Sequence, residues 1–97
     1  MSQQKRTILI VDDEEDVLDL LQLVFETSGF LVRRASTGKS AVSSAWEQPP
    51  DVVLLDVMMP EMDGWQVLRT LKGDERTRSV PVVMLSARAE RRDKMIG

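Results

Sequence analysis

The segment ILIVDD at residues 8–13 decides the fold, because the same kind of pattern recurs twice along the chain. Residues 52–55, VVLL, precede Asp56, and residues 82–85, VVML, precede Ser86. Short apolar runs of this kind, bounded by turn residues, are typical of strands buried on both faces of a parallel sheet. The carboxyl ends of such strands form the sheet edge at which α/β folds bind ligands. The pattern therefore predicts a cluster of acids and one hydroxyl at that edge.

The same polar residues also have a purely structural interpretation. Asp and Ser favour turns and helix N-caps. Asp13 could cap the helix that follows it, Asp56 could open a turn, and Ser86 could be an ordinary turn residue. The occurrence of the pattern at three strand ends in one chain favours a shared site.

Helical patterns separate the apolar runs. After a first strand over about residues 7–12, apolar residues recur every three or four positions until Gly29, which suits the left-handed position after a helix. Residues 30–35 form a weaker predicted strand. Its Arg33 and Arg34 suit a sheet edge, where charge discourages further pairing.

The rest of the chain continues this alternation. A second helix is predicted to stop at Pro49, a third spans about residues 63–72, and a fourth begins near Ala89. Trp46 and Trp65 lie on the second and third helices, and we expect both in or near the core. Strands that alternate with helices pair in parallel through right-handed crossovers, so the predicted class is α/β.

Composition excludes several kinds of protein. The chain has 97 residues, 42% of them hydrophobic and 30% charged, which indicates one globular domain. A net charge of −3 argues against direct nucleic-acid binding. No apolar stretch approaches the roughly 20 residues of a membrane span, and the N-terminal run is too short for a signal peptide. We therefore expect a cytoplasmic protein.

The predicted acidic cluster indicates a metal site. Asp12, Asp13 and Asp56 would repel one another unless a cation bound between them. The chain contains neither His nor Cys, so oxygen atoms would supply the ligands, and Mg²⁺ fits best. The methionines within residues 58–62 could suggest a soft-metal site instead. Without Cys or His, that alternative is weak, and we expect these methionines to pack the loop.

The segment DVVLLDVMMPEMDG at residues 51–64 makes the pattern specific. Together with the acidic pair near the N-terminus and with Ser86 and Ala87, it closely resembles the receiver domain of bacterial two-component response regulators. The resemblance covers nearly all of this chain. It implies a flavodoxin-like, doubly wound parallel sheet with strand order 2-1-3-4-5 and a site between strands 1 and 3.

The resemblance also implies a role for each site residue. Asp56 would accept a phosphoryl group from a sensor histidine kinase or a phosphotransfer protein. Mg²⁺ would be bound directly by Asp13 and Asp56, mostly through water by Asp12, and by the main-chain carbonyl of Met58. Ser86 would form a hydrogen bond with the phosphoryl oxygens. Such a chain is a signalling phosphoacceptor that catalyses only its own phosphorylation and dephosphorylation.

One departure from the family affects these expectations. The family continues into a fifth strand that carries a Lys, and into a fifth helix, whereas this sequence stops at Gly97. We therefore expect residues 1–97 to form a receiver domain that is incomplete at its C-terminus, with strand order 2-1-3-4. Strand 4 would then be an apolar edge open to dimerisation or domain swapping.

Two other functions remain as alternatives. A metal-dependent phosphatase with an aspartyl nucleophile, of the haloacid-dehalogenase type, would carry an Asp-x-Asp pair after strand 1. Here Asp12 and Asp13 are followed by two Glu residues, which is a poor match. A pseudo-receiver, which binds a partner without phosphorylation, is favoured by the missing Lys and disfavoured by the three acids.

Overall fold

Strands and helices alternate along the chain, as the sequence predicts. The computed structural model describes residues 5–56 and 64–85. In these residues the elements are β1 (Thr7–Val11), α1 (Glu15–Thr27), β2 (Leu31–Ala35), α2 (Gly38–Glu47), β3 (Val52–Asp56), α3 (Gly64–Lys72) and β4 (Val82–Leu85). The fourth helix predicted near Ala89 lies outside the described residues.

All strand pairs are parallel, and the sheet order is β2-β1-β3-β4. The predicted order 2-1-3-4 and the α/β class are thereby confirmed. Val11 pairs with Leu55, and Asp56 pairs with Leu85, so the carboxyl ends of β1, β3 and β4 lie at the same level of the sheet. This register brings Asp12, directly after β1, close to Asp56, the last residue of β3.

The core consists of one apolar layer on each face of the sheet. Successive strand residues point to opposite faces, so β1, β2 and β3 contribute to both layers. On one face, strand residues pack against α2 and α3; the buried members include Leu9, Val11, Val53, Leu55, Ala41, Ala45, Val67 and Leu71. On the other face, strand residues pack against α1; the buried members are Ile8, Ile10, Leu54 and Leu18. Burial on both faces explains why the central runs are continuously apolar.

Helix termini follow local sequence signals. Gly29 adopts φ +98° after α1, as predicted. Thr37 and Ser40 form a capping box at the start of α2. The N-cap of α1 is Glu14, so the interpretation of Asp13 as that cap is wrong. Within the described residues, no helix is both long enough and apolar enough to cross a bilayer.

The two tryptophans differ in their environments. Trp46 is partly buried against the core, and the Arg76 guanidinium lies 4.6 Å from its ring centroid. Trp65 is 55% exposed, so the expectation that it lies in or near the core is wrong. Trp65 precedes the buried Val67 by two positions, which places it about half a turn away on the opposite side of α3.

Strand β4 forms one edge of the sheet within the described residues, as expected. Its residue Val83 is 49% exposed, although it pairs with the buried Leu54. Dimerisation or domain swapping through this edge stays a prediction.

Hydrogen bonds from side chains to main-chain carbonyls stabilise the segment that connects α3 to β4. Thr77 is buried, and its hydroxyl donates to the Leu71 carbonyl at 2.6 Å. The Lys72 ammonium donates to the carbonyl of Val80 at 2.7 Å and to that of Arg78 at 3.1 Å. These bonds fix the point at which the chain enters β4.

Replacing Thr77 by Val should lower the free energy of unfolding by about 1 to 2 kcal/mol, because a buried hydrogen bond to a carbonyl is lost. Thr70→Val is the matched control, since the Thr70 hydroxyl also donates to a carbonyl of α3 but at a more exposed position. Urea unfolding of both variants measures the difference. Equal losses in the two variants would contradict this role for Thr77.

Candidate functional site

The carboxyl ends of β1 and β3 bring three acids together. Asp56 is the last residue of β3, Asp12 directly follows β1, and each is only 5% exposed. Asp13 is partly buried beside them. One carboxylate oxygen from each of the three residues lies within 4.8 Å of the others. The predicted acidic cluster therefore exists, and it lies between the first and third strands.

Main-chain groups hold Asp12 in place. Its N–H donates to the Ala35 carbonyl at the end of β2, at 3.1 Å. Its Oδ1 accepts from the Glu14 N–H at 2.9 Å, which is the pattern of an Asx turn. Both the backbone and the side chain of Asp12 are thus fixed by neighbouring elements.

The site raises the pKa of Asp12 to about 6, from an ordinary value of 3.8. Burial is the largest cause, because it disfavours the charged carboxylate. The negative charges of Asp56 and Asp13 and a side-chain hydrogen bond with Asp56 raise the pKa further, whereas the Glu14 N–H lowers it. The described surroundings of Asp12 therefore favour its neutral form over its charged form.

The donor set fits a hard divalent cation. Three carboxylates converge, and the whole sequence contains no His or Cys that would favour a softer metal. Mg²⁺ is usually bound through one or two protein carboxylates and keeps several waters. Asp12, Asp13 and Asp56 are the described residues that would hold it.

Two predicted site residues, Met58 and Ser86, lie outside the described residues, and their roles stay predictions. Leu85, the residue before Ser86 in the sequence, pairs with Asp56 in the sheet.

Sequence reasoning missed the groups that support Asp12, namely the Ala35 carbonyl and the Glu14 N–H. The N–H could have been anticipated, because Asp at a strand end commonly accepts from the residue two positions later. The Ala35 carbonyl could not have been anticipated, because every residue has a main-chain carbonyl and no side chain marks this one.

Comparison with known proteins agrees with this geometry. The response regulator receiver domain family matches residues 8–96, and the chain belongs to that family. One relative is the alkaline phosphatase synthesis transcriptional regulatory protein PhoP of Bacillus subtilis (strain 168), 41% identical over 92 residues. That match covers 95% of this chain and 38% of the relative, so the chain spans less than half of that protein's length.

Solved structures show the same fold. The N-terminal domain of a response regulator receiver protein from Methanoculleus marisnigri JR1 has a TM-score of 0.83 and 40% identity, covering 87% of this chain and 68% of that one. The receiver domain of sensor histidine kinase PA1611 from Pseudomonas aeruginosa PAO1 has a TM-score of 0.85 and 29% identity, covering 95% and 75% respectively. That structure has a magnesium ion coordinated in its active site cleft.

The raised pKa of Asp12 predicts a pH-dependent cost to stability. Its folded-state pKa exceeds the unfolded value, so the cost is absent below about pH 3.8, grows as pH rises, and is complete above about pH 6. One pKa unit corresponds to about 1.4 kcal/mol, and nearby water reduces the effect. In EDTA near pH 7.5, Asp12→Asn should therefore raise the free energy of unfolding by about 1 to 2 kcal/mol.

Urea unfolding across this pH range measures the effect, with Asp16→Asn as the control. Asp16 is an exposed acid in the first turn of α1, where it complements the helix dipole, so its replacement should not stabilise the protein. A stability difference between Asp12→Asn and the parent chain that does not shrink toward pH 4 would contradict the assignment.

Proposed function

We propose that this chain is a phosphoacceptor, in which Asp56 takes a phosphoryl group from a phosphohistidine donor when Mg²⁺ is bound at the acidic site. The observation that supports it best is the convergence of Asp12, Asp13 and Asp56 within 4.8 Å at the ends of two paired strands. Membership of the receiver family supports the class of reaction.

The proposed reaction forms one bond and breaks one bond. A carboxylate oxygen of Asp56 forms the new O–P bond while the P–N bond to the donor imidazole breaks, and the electron pair of that bond stays on the imidazole nitrogen. A water molecule later attacks the phosphorus, the O–P bond to Asp56 breaks, and inorganic phosphate leaves the restored carboxylate. Bound Mg²⁺ would neutralise charge on the transferring oxygens.

Each acid has a separate part in the proposal. Asp56 is rigidly placed as the last residue of a buried strand, which suits a nucleophile that must stay in line with its donor. Asp13 and Asp56 would bind Mg²⁺ directly, with Asp12 acting mostly through water. Met58 would add its main-chain carbonyl, and Ser86 would donate a hydrogen bond to the phosphoryl oxygens.

The proposed partner is a sensor histidine kinase or a phosphotransfer protein, and the chain is a signalling module that modifies only itself. The net charge of −3 supports the proposal that this segment does not bind nucleic acid directly. The work of any longer protein in which this segment occurs would then depend on the phosphorylation state of Asp56.

Phosphorylation should add the mass of one phosphoryl group when the folded chain is incubated with MgCl₂ and acetyl phosphate. Asp56→Asn should abolish the addition, because the amide cannot attack phosphorus. Asp51→Asn is the matched control at the opposite end of the same strand, where Asp51 accepts from the Thr7 N–H at 2.7 Å. That control should still be modified.

Intact mass spectrometry detects the added phosphoryl group, and peptide mapping identifies the residue that carries it. Modification of Asp56→Asn at the parent's level would show that another residue is the acceptor. A folded parent chain that gains no mass would contradict the proposal and favour a pseudo-receiver. Steady release of phosphate from small phosphate esters would favour a phosphatase instead.

Mg²⁺ should stabilise the folded chain, because the cation removes the repulsion among the acids. At a concentration of about ten times its Kd, the gain in free energy of unfolding should be about 1.4 kcal/mol. EDTA should reverse the gain, and Asp13→Asn should reduce it strongly. Thermal unfolding with and without MgCl₂ measures the effect, and an unchanged melting temperature at high MgCl₂ would contradict a cation site.

A further inference from the structure

We propose that Arg34 is a positioning residue for the acidic site, because its ion pair with Glu15 closes a ring of contacts that fixes Asp12. This inference rests on the proposed function, since the ring matters through the Mg²⁺ ligands that it orients. Arg34 lies on the edge strand β2, and its guanidinium donates to residues of α1.

Three hydrogen bonds, together with the chain that joins their residues, form the ring. The Asp12 N–H donates to the carbonyl of Ala35, the residue after Arg34. The Asp12 Oδ1 accepts from the N–H of Glu14, the residue before Glu15. The Arg34 Nη2 then donates to the Glu15 Oε1 at 2.7 Å and connects the two sides. Asp12 is therefore held from β2 and from the start of α1, and Arg34 joins these two supports.

Arg34 donates hydrogen bonds to three residues on one face of α1. Its Nη1 donates to Asp19 Oδ1 at 2.8 Å and to Gln22 Oε1 at 2.9 Å, in addition to the bond with Glu15. These three partners recur at spacings of four and three, so they lie on one helix face. The planar, forked guanidinium can bind several acceptors at once, which a Lys ammonium does less well. This arrangement sets the position of α1 against β2.

The energetic argument depends on the network. An isolated surface ion pair contributes little, but the Arg34 side chain is 31% exposed and its guanidinium has three partners. The charge of Arg34 and its positioning role predict opposite changes in Mg²⁺ affinity when Arg34 is replaced. If Arg34 acted only through charge, removing a cation near the acids would strengthen Mg²⁺ binding; if it acts by positioning Asp12, removal weakens binding.

The test compares Mg²⁺ affinity in three variants by calorimetric titration with MgCl₂. Arg34→Met should raise the Kd about three- to fivefold, corresponding to the loss of a small networked interaction. Arg34→Lys keeps the charge and should still raise the Kd about twofold, because the fork is lost. Arg33→Met is the matched control, since the adjacent Arg33 donates to the Ser44 and Gln48 carbonyls at the end of α2.

Hydrogen exchange in EDTA provides a readout without metal. Arg34→Met should speed exchange at the Glu14 N–H, which binds Asp12, and at the Leu18 N–H, which binds the Glu14 carbonyl. Arg33→Met should leave both rates unchanged, even if it lowers global stability.

The outcomes separate the two proposals. Unchanged or tighter Mg²⁺ binding in Arg34→Met would overturn the positioning role while leaving the proposed function intact. Equal weakening in Arg33→Met would also overturn it, because the effect would then be general destabilisation. A parent chain that binds no Mg²⁺ would overturn both proposals.

Discussion

The structure depends on the parallel pairing of β1 with β3, which forces buried negative charges together. Because Val11 pairs with Leu55, the next residues along the two segments, Asp12 and Asp56, lie side by side. Their repulsion and burial raise the pKa of Asp12 to about 6. An arrangement that costs stability in the absence of a cation is reasonable at a functional site, where stability is often lower than the fold would allow.

The surrounding fold keeps this arrangement rigid. Strands buried on both faces cannot shift by one residue without moving apolar side chains to the wrong layer. Asp12 is further held by the carbonyl of Ala35 and the N–H of Glu14, so its carboxylate is ordered within the acidic cluster without any bound cation. Such preorganisation lets binding energy go into the metal site and the reaction rather than into ordering side chains.

Much of this account was predictable from sequence, for identifiable reasons. The three apolar runs and the turn residues after them predicted the strands, and the helix stop at Gly29 followed from its conformational freedom. The strand order came from family resemblance, because periodicity contains no information about which strands are neighbours. Trp65 was misplaced because apolar character alone does not distinguish a core face from an exposed one. The Ala35 carbonyl and the ion pair between Arg34 and Glu15 join residues that are distant in sequence, so neither had a sequence signal.

We propose that one Mg²⁺ ion neutralises the negative charge of the Asp12, Asp13 and Asp56 cluster. The most direct test of this proposal is calorimetric titration of the chain with MgCl₂ near pH 6, in buffers of different ionisation enthalpy. Metal binding to a partly protonated ligand releases protons. We expect one bound ion per chain, with release of a fraction of a proton near pH 6 that disappears by about pH 8. Absence of binding, or binding without proton release near pH 6, would contradict it.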